Sequence, residues 1–343
     1  MSDTPAPASR APRKLDLQRR EMPKQAPEAR RRTFSEVALG YAAQTAVEEA
    51  RRCLQCKKPL CVANCPVNID IPAFIAAVAE GDFLRGVRIL KRDNALPSVC
   101  GRVCPQEEQC EKECALVRRN GQVAIGRLER FLGDWEAAQA AAELQVPAQP
   151  SGKKVAVVGG GPAGLTAAAD LVKLGHGVII FEALHRMGGV LTYGIPEFRL
   201  PKQIVEREVA YLRGLGVEMR TDFVIGKTLP VDSLLDTYDA VFIATGAGLP
   251  WFMEMPGNNL NGVYSANEYL TRINLMKGSD FPRASTPVAP HRRVAVLGGG
   301  NVAMDCARTA LRLGAEVEVV YRRSRQELPA RAEEVENAEE EGV

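Results

Sequence analysis

The chain has almost no surplus charge of either sign: 44 Lys and Arg against 42 Asp and Glu leave +2 over 343 residues. A role on nucleic acid, which calls for a basic face, is therefore not expected. No run of about 18 uninterrupted apolar residues occurs, so no membrane-spanning helix is expected either. Histidine is scarce, with only His176, His185 and His291 far apart in sequence. No Ser/His/Asp or Cys/His constellation emerges from them, and no catalytic side chain is assigned. Residues 1–32 are rich in Pro, Arg and Lys and lack the apolar stretch of a secretory signal, which points to a cytoplasmic protein. The remaining balance, 46% apolar and 25% charged, excludes disorder, collagen and coiled coil and suffices for two or three cores.

What the chain does have is cysteine in groups. Eight of nine fall in the windows 53–65 and 100–114, and Cys306 stands apart as a small buried apolar residue. Grouped cytosolic thiols more often hold metal than form disulfides. The first window, Cys53-x2-Cys56-x4-Cys61-x3-Cys65-Pro66, is a variant of the bacterial ferredoxin run, with four residues in the middle spacing instead of two. In that run three close thiolates hold one cube and the cysteine before proline goes to the other cluster. The same logic puts Cys53, Cys56 and Cys61 on one 4Fe–4S cluster and Cys65 on a neighbour. Interlacing with the second window sends Cys104 and Cys110 to join Cys65, while Cys114 completes the first cube. The fourth ligand of the second cube stays open between Cys100 and a nearby oxygen donor. Structural zinc competes, but it usually uses well-separated Cys-x2-Cys pairs, and only one such pair occurs.

Composition divides the chain. Residues 1–32 read as a flexible or surface-hugging basic arm, with Pro5, Pro7, Pro12, Pro23 and Pro27 preventing a continuous helix. Residues 33–147 read as an all-α iron–sulfur domain, with helices over Thr45–Cys53, Pro72–Glu80 and Gly126–Leu144 from their three- and four-residue apolar spacings. Residues 146–152 form a linker, after which short strands alternate with helices. A repeat then recurs at an offset of 139 residues: Lys154-Val-Ala-Val-Val-Gly-Gly-Gly-Pro-Ala-Gly164 against Arg293-Val-Ala-Val-Leu-Gly-Gly-Gly-Asn-Val-Ala303. Each copy runs through an Ala-rich helix to Gly175 or Gly314 and a second apolar strand. Two Rossmann-like βαβ folds, over residues 153–255 and 256–343, are the economical explanation, so the whole chain reads as α/β.

In the first copy Gly159, Gly161 and Gly164 make the tight turn, the open approach for a pyrophosphate and the close helix–strand packing. Pro162 and Ala163 start the helix that faces the phosphates. Glu182, 21 residues after Gly161, can accept hydrogen bonds from ribose hydroxyls. The second copy supplies Gly298, Gly300, Asn301, Val302 and Ala303, but has Tyr321 where the first has Glu182, followed by Arg322 and Arg323. Loss of the carboxylate removes repulsion of a 2′-phosphate, and two guanidiniums attract it, so NADPH is favoured over NADH there. The acid-bearing first copy then takes FAD, with Gly189 in Arg186-Met187-Gly188-Gly189 and Thr245-Gly246 after an apolar strand bringing backbone close to the cofactor.

Taken together, these motifs resemble the small (beta) subunit of NADPH-dependent glutamate synthase. They are similar as well to the NADPH-binding subunit of bifurcating ferredoxin:NADP transhydrogenases and to the N-terminal part of dihydropyrimidine dehydrogenase. The likeness rests on Arg52-Cys-Leu-Gln-Cys56, Cys65-Pro-Val-Asn-Ile-Asp-Ile-Pro72, Cys100-Gly-Arg-Val-Cys-Pro-Gln-Glu-Glu-Gln-Cys110, Ala124-Ile-Gly-Arg-Leu-Glu-Arg130, Gly188-Gly-Val-Leu-Thr-Tyr-Gly-Ile-Pro196 and Val320-Tyr-Arg-Arg323. It implies FAD, NADPH and two 4Fe–4S clusters, one of which takes a non-cysteine ligand at the position of Glu129. It also implies an electron-accepting partner: a glutamate synthase large subunit, or a flavoprotein or ferredoxin. Glutamine hydrolysis and the 2-oxoglutarate step are expected on that partner, and a non-catalytic electron-wiring subunit is the alternative of another class. Relatives continue past the second copy's second strand and return to the flavin domain, whereas this chain ends at Gly342-Val343. The nicotinamide domain is thus expected to be incomplete, and this piece alone to bind nucleotides poorly.

Overall fold

Local signals in the cysteine-bearing half specify short helices with well-marked ends. In the computed structural model, which describes residues 16–119, 121–139, 148–250 and 252–343, helix α1 (Pro27–Arg30) is followed by α2 (Ala43–Ala50), α3 (Leu60–Ala63) and α4 (Ile71–Glu80). Helices α5 (Phe83–Asp93), α6 (Pro97–Val103) and α7 (Ile125–Ala138) complete this half, where the described residues form no strand. Asp70 caps α4 by accepting from Ala73 N, and Gly81 ends it in the left-handed conformation at φ 82°. Asp82 then caps α5 by accepting from Arg85 N, so two helices meet across a two-residue turn. Leu128, Phe131 and Leu132 of α7 pack with Phe74, Ile75, Val78 and Leu90 in one core. The spacing expected α2 two residues later, and α7 starts one residue early; residues 140–144 of that expected helix, and 146–147 of the linker, lie outside the described residues.

Residues 16–32 of the basic arm are anchored, while residues 1–15 lie outside the described residues. Leu39 N donates to Pro23 O and Gln25 N to Val37 O, and the Arg30 side chain is only 1% exposed.

The second half alternates. Strand β1 (Lys154–Val158), helix α8 (Pro162–Lys173) and strand β2 (Gly177–Phe181) form the first βαβ unit. Helices α9 (Val190–Tyr193) and α10 (Lys202–Gly214), strand β3 (Glu218–Arg220), α11 (Val231–Thr237) and β4 (Ala240–Ile243) extend it. All neighbours pair in parallel in the order β3-β2-β1-β4, so β1 has strands on both sides and its loop lies where the sheet winding reverses. After α12 (Ala266–Asn274), a second unit of β5 (Arg293–Leu297), α13 (Asn301–Arg312) and β6 (Glu316–Val320) repeats the parallel pairing, and α14 (Ala332–Glu341) follows. The chain is therefore α/β with an all-α first half, as its sequence implies.

The two halves share a core. Ala95 and Leu96, just before α6, and Val99 within it are buried with Val157, Leu165, Ile180, Leu191 and Leu212 of the first nucleotide fold, and Cys100 and Val103 pack against that cluster. Helix α6 thus belongs to both halves.

Candidate functional site

A buried ion pair just before Cys53 hydrogen-bonds to the backbone of the segment after Cys114. Arg52 Nη1 donates to Glu49 Oε1 at 2.5 Å, and the same oxygen accepts from Ala124 N at 2.8 Å. Arg52 Nη2 reaches Gly121 O. The chain then turns at Gln55, which adopts φ 52°, a left-handed conformation unusual for a side-chain-bearing residue. As a result Cys53, Cys56, Cys61 and Cys114 line one cavity of about 90 Å³ together with Ile71, Ile75, Leu116, Val123 and Ile125. Burial raises the Cys53 thiol, and Cys114 and Cys56 add to the effect. The Cys61 thiol is pushed up to about 11 by burial and then by Cys53, Cys114 and Cys56. Val123 N points at Cys114 Sγ, 3.5 Å away.

A second group forms around α6 and α7. Burial raises the Cys110 thiol, followed by the charges of Glu111, Glu129, Cys65 and Cys104, so these groups are near neighbours. Cys104 lies one helical turn after Cys100 and hydrogen-bonds with it, which lowers Cys104 and raises Cys100 well above the ordinary thiol value. The guanidinium of Arg331 lowers Cys104 further. Glu129 on α7 is 6% exposed; burial pushes its carboxyl well above the usual range, Cys104 adds to this, and a hydrogen bond from Asn94 opposes it.

All nine cysteines are unpaired. Among the described residues no three His, Cys, Asp or Glu side chains close on a single point as a lone ion would require. The four sulfurs of the first group instead line one shared cavity. Crowded thiols of this kind fit a polynuclear iron centre, whose positive charge deprotonates each ligand and relieves their mutual repulsion.

The nucleotide loops are built by close backbone contact. Gly159 has φ 110°, and a Cβ there would lie 2.2 Å from Ala244 O; one at Gly164 would lie 1.9 Å from Gly159 O. Gly161 differs, because a Cβ there would meet only Gly189 Cα at 3.8 Å, leaving free the space before Pro162 and Ala163 at the start of α8. That open approach is the cradle a dinucleotide pyrophosphate needs. Thr245 and Gly246 follow β4 at the same sheet end, with Thr245 N beside Gly159. Glu182 is buried at the end of β2, where Oε2 accepts from Gly160 N at 2.7 Å and Oε1 from Leu184 N at 2.8 Å. It ties the glycine loop down, and each oxygen keeps a second lone pair for a ribose hydroxyl.

In the second copy Gly298 has φ 132°, and a Cβ at Gly300 would meet no atom within 4 Å. Asn301, Val302 and Ala303 open α13, and Asn301 Oδ1 accepts from Arg331 N at 3.0 Å. The Tyr321 ring packs on Gly299 in the place Glu182 takes against Gly160. Arg322 and Arg323 are exposed, Arg323 at 4.0 Å from Glu327.

Comparison with known proteins agrees with this layout. Residues 30–141 match the family described as dihydropyrimidine dehydrogenase domain II, 4Fe-4S cluster, and residues 136–343 match pyridine nucleotide-disulphide oxidoreductase. The chain is 40% identical over 333 residues to the NADPH glutamate synthase small chain of Halomonas elongata, covering 96% of this chain and 70% of that protein. It is 38% identical over 328 residues to that of Azospirillum brasilense, covering 94% and 68%. The chain belongs to this family. It is an NADPH-dependent oxidoreductase with an iron–sulfur domain ahead of its nucleotide folds. More distant in role, the beta subunit of an NADP(+)-dependent formate dehydrogenase from Moorella thermoacetica is 41% identical over 308 residues, covering 82% of this chain and 42% of that protein.

Several residues of this NADPH-dependent oxidoreductase have no motif to announce them. Glu49 ties the segment before Cys53 to Ala124, 75 positions further on. Arg331 reaches from the second nucleotide fold to Glu107 at 3.2 Å and to Gln106 Oε1 at 3.0 Å, beside Cys104. Asn94 contacts both Glu129 and Cys100. Each is separated in sequence from what it serves, and only the polar character of Asn94 between Asp93 and an apolar stretch hinted at a buried role.

Proposed function

We propose that the chain is the NADPH-oxidising, electron-input subunit of a glutamate synthase: a cluster module at residues 33–147, an FAD module at 153–255 and a nicotinamide module at 256–343. The observation that carries this reading is α6, which bears Cys100, leads to Cys104 and is buried in the core of the first nucleotide fold. Flavin, when bound, converts two-electron hydride chemistry into single electrons that iron–sulfur clusters carry. The protein's task is placement. Gly159, Gly161, Pro162, Ala163, Gly164, Glu182, Gly189, Thr245 and Gly246 would hold FAD; Gly298, Gly300, Asn301, Val302, Ala303, Arg322 and Arg323 would hold NADPH.

Cys65, Cys104, Cys110 and Glu129 would ligate the cluster beside the flavin fold, and Cys53, Cys56, Cys61 and Cys114 the one beyond it. Around that outer set Leu54, Leu60 and Val67 are exposed, with Lys57 and Lys58 between them, a surface suited to an acidic-rimmed acceptor subunit. Clustered unpaired thiols suit the reducing cytoplasm.

Full-length protein purified without oxygen should contain about eight irons and one FAD per chain and reduce an artificial dye with NADPH. Bound zinc without iron, or iron and flavin without NADPH-dependent turnover, overturns the proposal, the second result leaving only an electron-wiring subunit.

A further inference from the structure

The proposed ligand set uses Glu129 and leaves out Cys100, although both stand beside Cys104. A single buried amide touches both. Asn94, 5% exposed, follows the last residue of α5, and its Oδ1 accepts from Leu96 N at 2.9 Å. Because a backbone N–H can only donate, this bond settles which end of the amide faces which neighbour. Nδ2 is therefore the end that meets Glu129, donating to Oε1 at 2.6 Å. The acceptor end receives the thiol of Cys100, with Sγ 3.6 Å from Oδ1.

The two candidate ligands are thus held by chemically opposite ends of one side chain. A carboxylate with Oε1 on an amide donor keeps Oε2 for a metal, and its orientation is fixed by the bond it accepts. The one thiol hydrogen of Cys100 lies between Asn94 Oδ1 and Cys104, so the amide offers this sulfur an acceptor while it offers Glu129 a donor. The amide itself cannot rotate, since reversal would set Nδ2 against Leu96 N–H and Oδ1 against a carboxylate oxygen.

We propose that Asn94 is a positioning residue that selects oxygen over sulfur as the odd ligand of the second cluster, by presenting Glu129 and retaining Cys100. The inference rests on the reading of Glu129 as a cluster ligand, which has its own control.

The test uses the full chain, loaded and purified anaerobically, with iron count, electron paramagnetic resonance of the reduced protein and a redox titration. Asn94→Asp keeps an oxygen for Leu96 N and the same volume, but turns an oxygen toward Glu129. The expected result is full iron and flavin, an altered resonance from one cluster only, and at least a tenfold change in its reduced-to-oxidised ratio at fixed poise, about 59 mV for one electron. In a Glu129→Cys background Asn94→Asp should add nothing.

A wild-type spectrum and potential in iron-replete Asn94→Asp, or an equal shift in both backgrounds, overturns the proposal. If Asn94→Asp fails to retain iron, Asn94→Ser, which offers Leu96 N an uncharged acceptor, is judged by the same criteria. Loss of both clusters and flavin together in Asn94→Ser marks a folding role and also overturns it. Glu129→Ala with an unchanged spectrum would refute the ligand reading itself, a result distinct from failure of the Asn94 variants.

Discussion

At the scale of single residues, the two nucleotide loops differ by one exchange. Glu182 braces the first loop through Gly160 N, and in the second the Tyr321 ring fills the same place against Gly299, with no carboxylate to repel a 2′-phosphate. Arg322 and Arg323 follow and stand exposed. Arg322→Glu combined with Arg323→Ala should lower the NADPH-to-NADH preference in kcat/KM by one to two orders of magnitude, about 1.4–3 kcal/mol for charge-assisted contacts, with flavin content unchanged. An unaltered ratio would remove these arginines from nucleotide choice. The exchange was legible in the sequence because it falls at a set distance from a glycine loop. The role of Asn94 was not, since its partners Glu129 and Cys100 are brought to it by three helices.

Between elements, the decisive contact is the crossing of α6 and α7. A Cβ on Gly101 would lie 2.4 Å from Arg130 N, and one on Gly133 would lie 2.4 Å from Ser98 Oγ and 2.9 Å from its Cα. Backbones this close set Cys100 and Cys104 beside Glu129. Helix propensity alone favours alanine over glycine by about 1 kcal/mol. Gly101→Ala should nonetheless destabilise the protein by about 1–3 kcal/mol through overpacking against backbone, and iron should fall toward about half while the first cluster remains. Urea unfolding and iron analysis check this, and an unchanged midpoint with full iron would show that the crossing has slack. Apolar spacing revealed α2, α4 and α7 but neither α5 nor α6. Helix α6 is seven residues long, starts at Pro97, and buries its apolar residues against strands some sixty positions later, so no local period marks it.

Across the whole molecule, a buried network ties the arm, the first nucleotide fold and the second together. Glu341 at the end of α14 receives Arg30 of α1 at 3.0 Å, Arg308 at 2.7 Å and Arg312 at 2.6 Å, the last two from α13. Glu334 pairs with Arg308 and with Arg199, which also bonds Asp305 at 2.8 Å, and Arg312 stacks over Phe198 at 3.9 Å. Burial alone would push the Glu341 carboxyl up, but hydrogen bonds from Arg308 and Arg312 outweigh it and bring it down to about 2. A carboxyl lowered on folding stabilises above its unfolded value near 4.5, and that contribution is lost as pH falls toward about 2. Glu341→Gln should therefore cost about 3–5 kcal/mol at neutral pH by stranding buried guanidiniums, and the gap to wild type should close over that acidic window in thermal melts. A constant gap would deny Glu341 its charge. Spacing within the chain was enough to point to an iron–sulfur domain and to nucleotide folds, because both signals depend on residues a few positions apart. Which arginine meets which carboxylate, why α6 enters the first nucleotide fold and what holds Glu129 were decided only by folding, because those contacts join positions whose separation along the chain carries no pattern.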